Sequence, residues 1–127
     1  MDKKILLVED DPILVELYQQ KLNLAGFEVQ IAGDGEEGLD VAIKSHPDLI
    51  LLDIGLPKMD GMTMMQKLRE DEWGKNASII ILTNLDPSDK FLLGVIEHHP
   101  TYYLLKSNMT PEDVIQKIND ILQDKKN

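Results

Sequence analysis

The sequence predicts an α/β domain in which a doubly wound parallel sheet of five strands is covered by helices on both faces. Short apolar runs recur along the chain, each bounded by turn-forming residues, as is typical of strands buried on both faces. A helical pattern fills every interval between these runs. This alternation predicts a single (βα)5 unit with right-handed crossovers, because parallel neighbours need a long connection between them.

Four of the five predicted strands are continuous apolar runs, and the fifth, around residues 28–31, has a weaker pattern. The four strong runs are Ile5–Val8, Leu49–Leu52, Ile79–Leu82 and Tyr102–Leu105. None of them approaches the length that a membrane span requires, so no transmembrane helix is expected.

Five helices are predicted from apolar residues at three-four spacing. Gly26 is a natural stop for the first helix. Thr110 is the expected N-cap of the last helix, with Pro111 at its first position and Asp113 completing a near capping box. The predicted helices cover Pro12–Ala25, Gly35–Lys44, Thr63–Asp71, Ser88–Glu97 and a C-terminal segment that begins at Pro111.

Length and charge restrict the classes of function. At 127 residues the chain can bury a real core, and we expect one domain over residues 1–127. Thirteen basic and 23 acidic side chains give a formal charge of −10, which repels nucleic acid and anionic membrane surfaces. Direct binding to nucleic acid or to a membrane is therefore not expected.

The chain contains no cysteine, which excludes disulfides and thiolate metal sites. Its N-terminal residues lead into an apolar run far shorter than a signal-peptide core. These features predict a cytoplasmic protein that is not exported.

Acidic residues follow two of the predicted strands. Asp53 directly follows the run 49–52, and Glu9, Asp10 and Asp11 directly follow the first run. In a flavodoxin-like strand order 2-1-3-4-5 these strand ends are neighbours at the topological switch point, where open α/β sheets bind ligands. Asp53 could instead start a turn, and Asp11, which precedes a proline, is most simply a helix N-cap.

Converging carboxylates repel one another unless a cation lies among them. Mg²⁺ suits such a site because it takes hard oxygen ligands in a small octahedron and usually retains water and a substrate phosphate. Thr83 and Lys106 follow the fourth and fifth runs and add a hydroxyl and a cation to the same edge. Taken singly, Thr83 is an ordinary strand residue and Lys106 an ordinary surface lysine. Together with Asp53 as a nucleophile, they are suited to phosphoryl transfer.

These motifs resemble the receiver domain of two-component response regulators along essentially the whole chain. Residues 8–11 are similar to the acidic pair of that family, and residues 53–61 follow its D-x-x-x-P-x-x-D-G pattern. Thr83 is similar to the switch hydroxyl, and residues 103–106 are similar to the aromatic switch and the lysine. The resemblance implies that Asp53 is the phosphoacceptor.

The resemblance also assigns roles to the neighbouring groups. It implies that Mg²⁺ is held, directly or through water, by four groups: Glu9, Asp10, Asp53 and the Gly55 carbonyl. It places Lys106, Thr83 and the Asn84 backbone at the phosphoryl oxygens. Thr83 and Tyr103 would change position on phosphorylation and so alter the surface formed by the fourth helix, fifth strand and fifth helix.

By this resemblance the chain is a switch and not a turnover enzyme. Its own catalytic activity would be limited to self-phosphorylation from small donors and to self-dephosphorylation. The donor would be a sensor histidine kinase or a phosphotransfer protein, and a downstream protein or output domain of unknown identity would read the change. The resemblance also allows a homodimer.

The sequence departs from the family in three places. Ser107 follows the lysine where proline is common, and we expect a trans Lys106–Ser107 peptide because a non-proline cis bond costs about 2.5–4 kcal/mol. Asn84 stands where a small residue is usual, which narrows access to the phosphoryl site. Residues 97–102 differ from the usual segment, so the identity of the partner is not readable from this surface.

Two other functions remain open. A phosphatase of the haloacid dehalogenase class would also use an aspartyl nucleophile, but it needs a D-x-D motif after the first strand, and residues 9–11 lack that spacing. The alternative is a receiver-like module used only for protein docking, with Asn84 and Ser107 as signs of lost phosphorylation.

Three histidines could suggest a metal site or a phosphorelay, and one tryptophan could stack on a ligand, but each has a simpler interpretation. His46 and His99 each precede a proline, His98 precedes His99, and all three are expected to be loop residues. Trp73 is expected to close the third helix against the core.

Overall fold

The computed structural model describes residues 2–84, 102–106 and 109–124. Within these residues the chain forms a five-stranded sheet in the order β2-β1-β3-β4-β5. All four pairings between neighbouring strands are parallel. The predicted α/β fold and its strand order 2-1-3-4-5 are therefore confirmed.

The strands and helices lie close to their predicted positions. The strands are β1 Lys4–Val8, β2 Glu28–Ala32, β3 Leu49–Leu52, β4 Ile79–Thr83 and β5 Tyr102–Leu105. The helices are α1 Pro12–Leu24, α2 Gly35–Ser45, α3 Gly61–Arg69 and the C-terminal helix Pro111–Asp124, with a short 3-10 turn at Gly74–Asn76.

The central strands are buried on both faces, and alternate residues enter two separate cores. Leu6, Ile50 and Ile79 lie in the core beneath α2 and α3. Their neighbours Ile5 and Leu49 lie in the core beneath α1 and the C-terminal helix. The continuous apolar runs of the sequence arise because successive side chains of a strand point to opposite faces, both of which are covered here.

Acidic N-caps set the start of three helices. Asp11 accepts the Ile13 N–H at 3.0 Å, as predicted, and Asp34 accepts the Glu37 N–H at 2.8 Å. Helix α3 begins at Gly61 rather than at the predicted Thr63, because the Asp60 carboxylate caps it by accepting the Thr63 N–H at 2.8 Å. Each cap satisfies a backbone donor that the first helical turn leaves without an intrahelical partner.

The C-terminal helix begins with the predicted capping box. The Asp113 N–H donates to the Thr110 hydroxyl at 3.1 Å, and the Thr110 N–H donates to the Asp113 carboxylate at 3.1 Å. Lys21 of α1 forms an exposed ion pair with Glu112 at 2.9 Å. Both contacts lie in the first turn of the C-terminal helix and hold its start in place.

Some predictions fall on residues that the structure does not describe. The predicted helix over residues 88–97, the two histidines His98 and His99, and the Lys106–Ser107 peptide lie outside the described residues. Among the described residues, no helix has both the length and the apolar character needed to cross a membrane.

Candidate functional site

The sheet places Glu9 and Asp53 side by side at its carboxyl edge. Val8 and Leu52 are register partners in β1 and β3, so the residues that follow them leave the sheet together. The Asp53 N–H donates to the Val8 carbonyl at 3.1 Å, and the Glu9 N–H donates to the Ala32 carbonyl at 3.0 Å. Both acidic residues are therefore held by the last hydrogen bonds of the sheet.

Three carboxylates converge at this edge. Glu9, Asp10 and Asp53 can each present one carboxylate oxygen such that the three atoms lie within 4.8 Å of one another. The Glu9 side chain is buried, that of Asp53 is half-buried and that of Asp10 is exposed. The cluster thus opens to solvent on the side of Asp10.

Lys106 crosses from the end of β5 to this cluster. Its Nζ donates to Glu9 Oε1 at 2.6 Å and to Asp53 Oδ2 at 3.1 Å. The lysine side chain is only 14% exposed, so little solvent screens these ion pairs. The other Glu9 oxygen accepts the Asp10 N–H at 3.1 Å, so both oxygens of this carboxylate are held by hydrogen bonds.

Burial and charge alter the protonation equilibria of two of these groups. Burial raises the pKa of Glu9, and the nearby Asp53 charge acts in the same direction, while the hydrogen bond from Lys106 opposes it. Burial lowers the pKa of Lys106, but the Glu9 and Asp53 carboxylates outweigh burial and raise it overall. The lysine therefore remains a cation at neutral pH.

An open cleft of about 220 Å³ lies in front of Asp53. It is lined by Asp53, Gly55, Thr83, Asn84 and Lys106. Thr83 is the last residue of β4 and is 2% exposed, whereas Asn84 is exposed at the rim. The cleft thus combines a carboxylate, a hydroxyl and an ammonium group around a space large enough for a phosphoryl group.

The loop that follows Asp53, residues 54–60, is here called the acceptor loop. The Gly61 N–H donates to the Ile54 carbonyl at 2.9 Å, which brings the two ends of the loop together. A Cβ on Gly61 would overlap the Asp53 carbonyl, so the close approach of α3 to Asp53 requires glycine. This need for glycine at position 61 was not predicted, although the Asp60-Gly61 pair was a visible signal.

The sequence of residues 5–119 matches the response regulator receiver domain family. This match covers most of the chain. The chain belongs to the receiver family. Receivers are phosphoacceptor signalling modules and not catalytic enzymes in the ordinary sense.

Similar proteins agree with this assignment. The receiver is 37% identical over 123 residues to the alkaline phosphatase synthesis transcriptional regulatory protein PhoP of Bacillus subtilis, covering 97% of this chain and 50% of PhoP. The chain spans about half the length, or less, of the curated relatives it matches.

Solved structures extend the agreement to three dimensions. A CheY-like receiver from Methanospirillum hungatei superimposes with a TM-score of 0.90 at 28% identity, covering 99% of this chain and 98% of that one. The receiver of the sensor histidine kinase PA1611 from Pseudomonas aeruginosa, with a magnesium ion coordinated in its active-site cleft, gives a TM-score of 0.82 at 28% identity over 97% and 96% of the two chains.

The structure also locates the residues that the receiver motifs do not use. Asp11 lies outside the carboxylate cluster and caps α1. His46 ends α2 with a φ of +49° and stacks on the Trp73 ring, with 4.6 Å between ring centroids. Trp73 packs against the core beneath α3, as predicted, but its stacking on His46 was not foreseen. The side chain of Tyr103 lies outside the described residues, although its backbone belongs to β5 and pairs with Ile81 of β4.

Proposed function

We propose that this receiver accepts a phosphoryl group on Asp53 from a sensor histidine kinase or a phosphotransfer protein, in a reaction that requires Mg²⁺. The observation that carries the proposal is the convergence of Glu9, Asp10 and Asp53 with Lys106 at the mouth of an open cleft. A module that only docks to proteins does not need converging carboxylates. Such carboxylates repel one another, and partly burying them costs free energy unless a cation binds among them.

Asp53 has the position that the nucleophile requires. In the transfer, an Asp53 oxygen forms a bond to phosphorus while the P–N bond to the donor histidine breaks, and the imidazole leaves with that electron pair. Lys106 lies 3.1 Å from Asp53 and can hold one phosphoryl oxygen by charge. Thr83 and Asn84 line the same cleft, and we assign the other oxygens to the Thr83 hydroxyl and the Asn84 backbone.

The donor set fits Mg²⁺. Three carboxylates, of which Asp53 lines the cleft, offer hard oxygen ligands close together, and the exposed Asp10 leaves room for the waters that this ion retains. We assign the ion to Glu9, Asp10, Asp53 and the Gly55 carbonyl, directly or through water. When bound, Mg²⁺ neutralises charge that develops on the phosphoryl oxygens.

Mass spectrometry of the intact protein after incubation with acetyl phosphate and Mg²⁺ tests the function. A phosphoacceptor gains one phosphoryl group, which is lost again at alkaline pH because acyl phosphates are labile. Labelling that is absent both with and without Mg²⁺ would favour the docking alternative instead.

Asp10→Ala is expected to weaken Mg²⁺ binding by tenfold or more, since replacing even the outer partners of metal ligands costs about 10–100-fold in affinity. Without metal the variant should be slightly more stable than the wild type, because one of three mutually repelling carboxylates is gone. Calorimetric Mg²⁺ titration and thermal melting in EDTA measure the two effects. Asp11→Asn, which preserves the α1 cap outside the cluster, is the matched control, and equal Mg²⁺ affinity in both variants would contradict the metal assignment.

We further propose that phosphorylation is read out through Thr83 and Tyr103 at the surface of the helix predicted over residues 88–97, β5 and the C-terminal helix. A phosphoryl group adds about 1.5–2 negative charges and strong acceptor oxygens, which attract the Thr83 hydroxyl. Thr83 pairs with Leu105 across β4 and β5, so its movement is next to the strand that carries Tyr103.

Beryllofluoride with Mg²⁺ mimics an aspartyl phosphate and tests this readout. Amide shift changes in NMR spectra should extend from the cleft along β5 to Tyr103, and Thr83→Ala should reduce them without preventing binding. Changes that stay within the acceptor loop would show that the output does not pass through Thr83.

The length of the relatives bears on where the output of this receiver lies. PhoP of Bacillus subtilis is a transcriptional regulatory protein of about twice the length of this chain. We propose that this receiver acts through a separate protein or output domain. Its own formal charge of −10 disfavours direct contact with nucleic acid.

A further inference from the structure

The start of α2 touches the acceptor loop at a place that none of the phosphoacceptor residues occupies. Gly35, the first residue of α2, is buried. A Cβ added to Gly35 would overlap the Met59 carbonyl of the loop. Backbone lies against backbone at this contact, so no side chain can rotate away to make room for an added methyl group.

Gly33 provides the contrast. It lies two residues earlier in the same connection and has no atom within 4 Å of an added Cβ. Only one of these two neighbouring glycines is therefore required for packing. The difference shows that the need for glycine arises from the acceptor loop and not from the turn before α2.

An ion pair with an exposed lysine spans the same contact. Lys58 of the acceptor loop has a φ of +63°, and its Nζ lies 3.8 Å from Asp34 Oδ2. The other Asp34 oxygen accepts the Glu37 N–H at 2.8 Å and so caps α2. Asp34 thus contacts its own helix and the loop at once. A non-glycine residue with positive φ is strained, so contacts elsewhere must hold Lys58 in this conformation.

Hydrogen bonds inside the loop link this contact to Asp53. The Met59 N–H donates to the Pro57 carbonyl at 2.7 Å, and the Leu56 N–H donates to the Ile54 carbonyl at 2.9 Å. At the other end, the Gly55 N–H donates to Asp53 Oδ1 at 3.3 Å. These three hydrogen bonds constrain the loop at several points between Met59 and Asp53.

We infer that Gly35, assisted by the Asp34–Lys58 ion pair, is a positioning residue for the phosphoacceptor site. Its missing side chain lets the acceptor loop lie against α2, and this holds the Gly55 carbonyl and the Asp53 carboxylate in place for Mg²⁺ and phosphoryl uptake. The inference rests on the proposed function of Asp53, and it adds a residue on a different helix to that site.

Gly35→Ala and Gly33→Ala form the matched pair that tests it. Both changes add one methyl group next to the Asp34 N-cap, Gly33 just before it and Gly35 just after it. Gly35→Ala should lower Mg²⁺ affinity in calorimetry by about tenfold. It should also shift the Gly55 amide resonance in metal-free NMR spectra and slow labelling by acetyl phosphate at saturating Mg²⁺. Gly33→Ala should match the wild type in all three measurements.

If Gly35→Ala does not fold, a second pair of variants tests whether the contact between α2 and the acceptor loop positions the site. Asp34→Asn keeps a good N-cap but removes the ion pair to Lys58, whereas Asp40→Asn removes the same charge from a residue of α2 whose ion pair is with Lys44 and not with the loop. Asp34→Asn should shift the Gly55 amide and weaken Mg²⁺ binding more than Asp40→Asn does.

The possible outcomes separate the two proposals. If the wild type is labelled on Asp53 but a folded Gly35→Ala retains its Mg²⁺ affinity and Gly55 resonance, the role of Gly35 is wrong and the phosphoacceptor function stands. If Gly35→Ala is unfolded, equal effects of Asp34→Asn and Asp40→Asn overturn the role of the α2 contact. Absence of labelling in the wild type overturns both.

Discussion

Asp53→Asn is expected to abolish phosphoryl uptake while the receiver remains folded. The amide keeps the shape of the carboxylate but lacks the anionic oxygen that attacks phosphorus. The sheet should be unaffected, because Asp53 is tied to β1 through its backbone N–H, which donates to the Val8 carbonyl at 3.1 Å. With the nucleophile removed, labelling by acetyl phosphate should fall below detection.

Asp60→Asn is the matched control for this variant. Asp60 lies at the other end of the acceptor loop, where it caps α3, and asparagine is an equally good cap. The control should take up one phosphoryl group, and tandem mass spectrometry should locate that group on Asp53. Labelling of Asp53→Asn at the wild-type stoichiometry would show that another residue is the acceptor.

Lys106→Met is expected to cause the largest loss of stability among single changes at the site. It removes the cation that lies 2.6 Å from Glu9 and 3.1 Å from Asp53, and it leaves two neighbouring carboxylates of low exposure without a positive partner. Breaking one side of a buried ion pair costs about 3–5 kcal/mol, and because the cluster opens to solvent near Asp10 we expect about 3 kcal/mol at pH 8. Urea unfolding in EDTA measures the loss.

The pH dependence of this loss provides an independent check. Burial already raises the pKa of Glu9, and a raised carboxyl pKa means that the folded state binds the proton more tightly than the unfolded state does. Stability from this group is therefore present at low pH and is lost as the pH rises through its folded-state pKa. Without Lys106 the pKa of Glu9 should rise further, so the loss of stability should be smaller at pH 5 than at pH 8.

Lys44→Met is the control for the lysine. Lys44 forms an exposed ion pair with Asp40 on α2, and such pairs contribute about 0.3–0.5 kcal/mol. Mg²⁺ should also restore more stability to Lys106→Met than to this control, because it supplies positive charge at the carboxylates. Equal losses for the two lysine variants would mean that solvent already screens the Lys106 ion pairs.

The sheet could be predicted from the sequence because its strands carry a local signal. Runs such as 49–52 are apolar at every position only when both faces are covered, and this pattern also implies the parallel topology. Once the strand order is known, Asp53 and Glu9 must meet at the same edge. Both the fold and the convergence of the acidic residues could therefore be predicted from the sequence.

Contacts between backbone segments could not be predicted in the same way. The need for glycine at positions 35 and 61 arises from the carbonyls of Met59 and Asp53, which are brought there by tertiary packing. The early start of α3 depends on the Asp60 carboxylate turning back to the Thr63 N–H. Neither feature leaves a periodic pattern in the sequence.

The stacked pair of Trp73 and His46 has a practical consequence for experiments on this chain. Trp73 is the only tryptophan of the sequence and lies before β4, while His46 lies before β3, so both rings belong to the amino edge of the sheet. The carboxylates occupy the other edge, about 13 Å away along a four-residue strand. Indole fluorescence should therefore follow loss of the core without responding directly to ions at Asp53. The protein thus carries its own optical reporter of unfolding, remote from the chemistry.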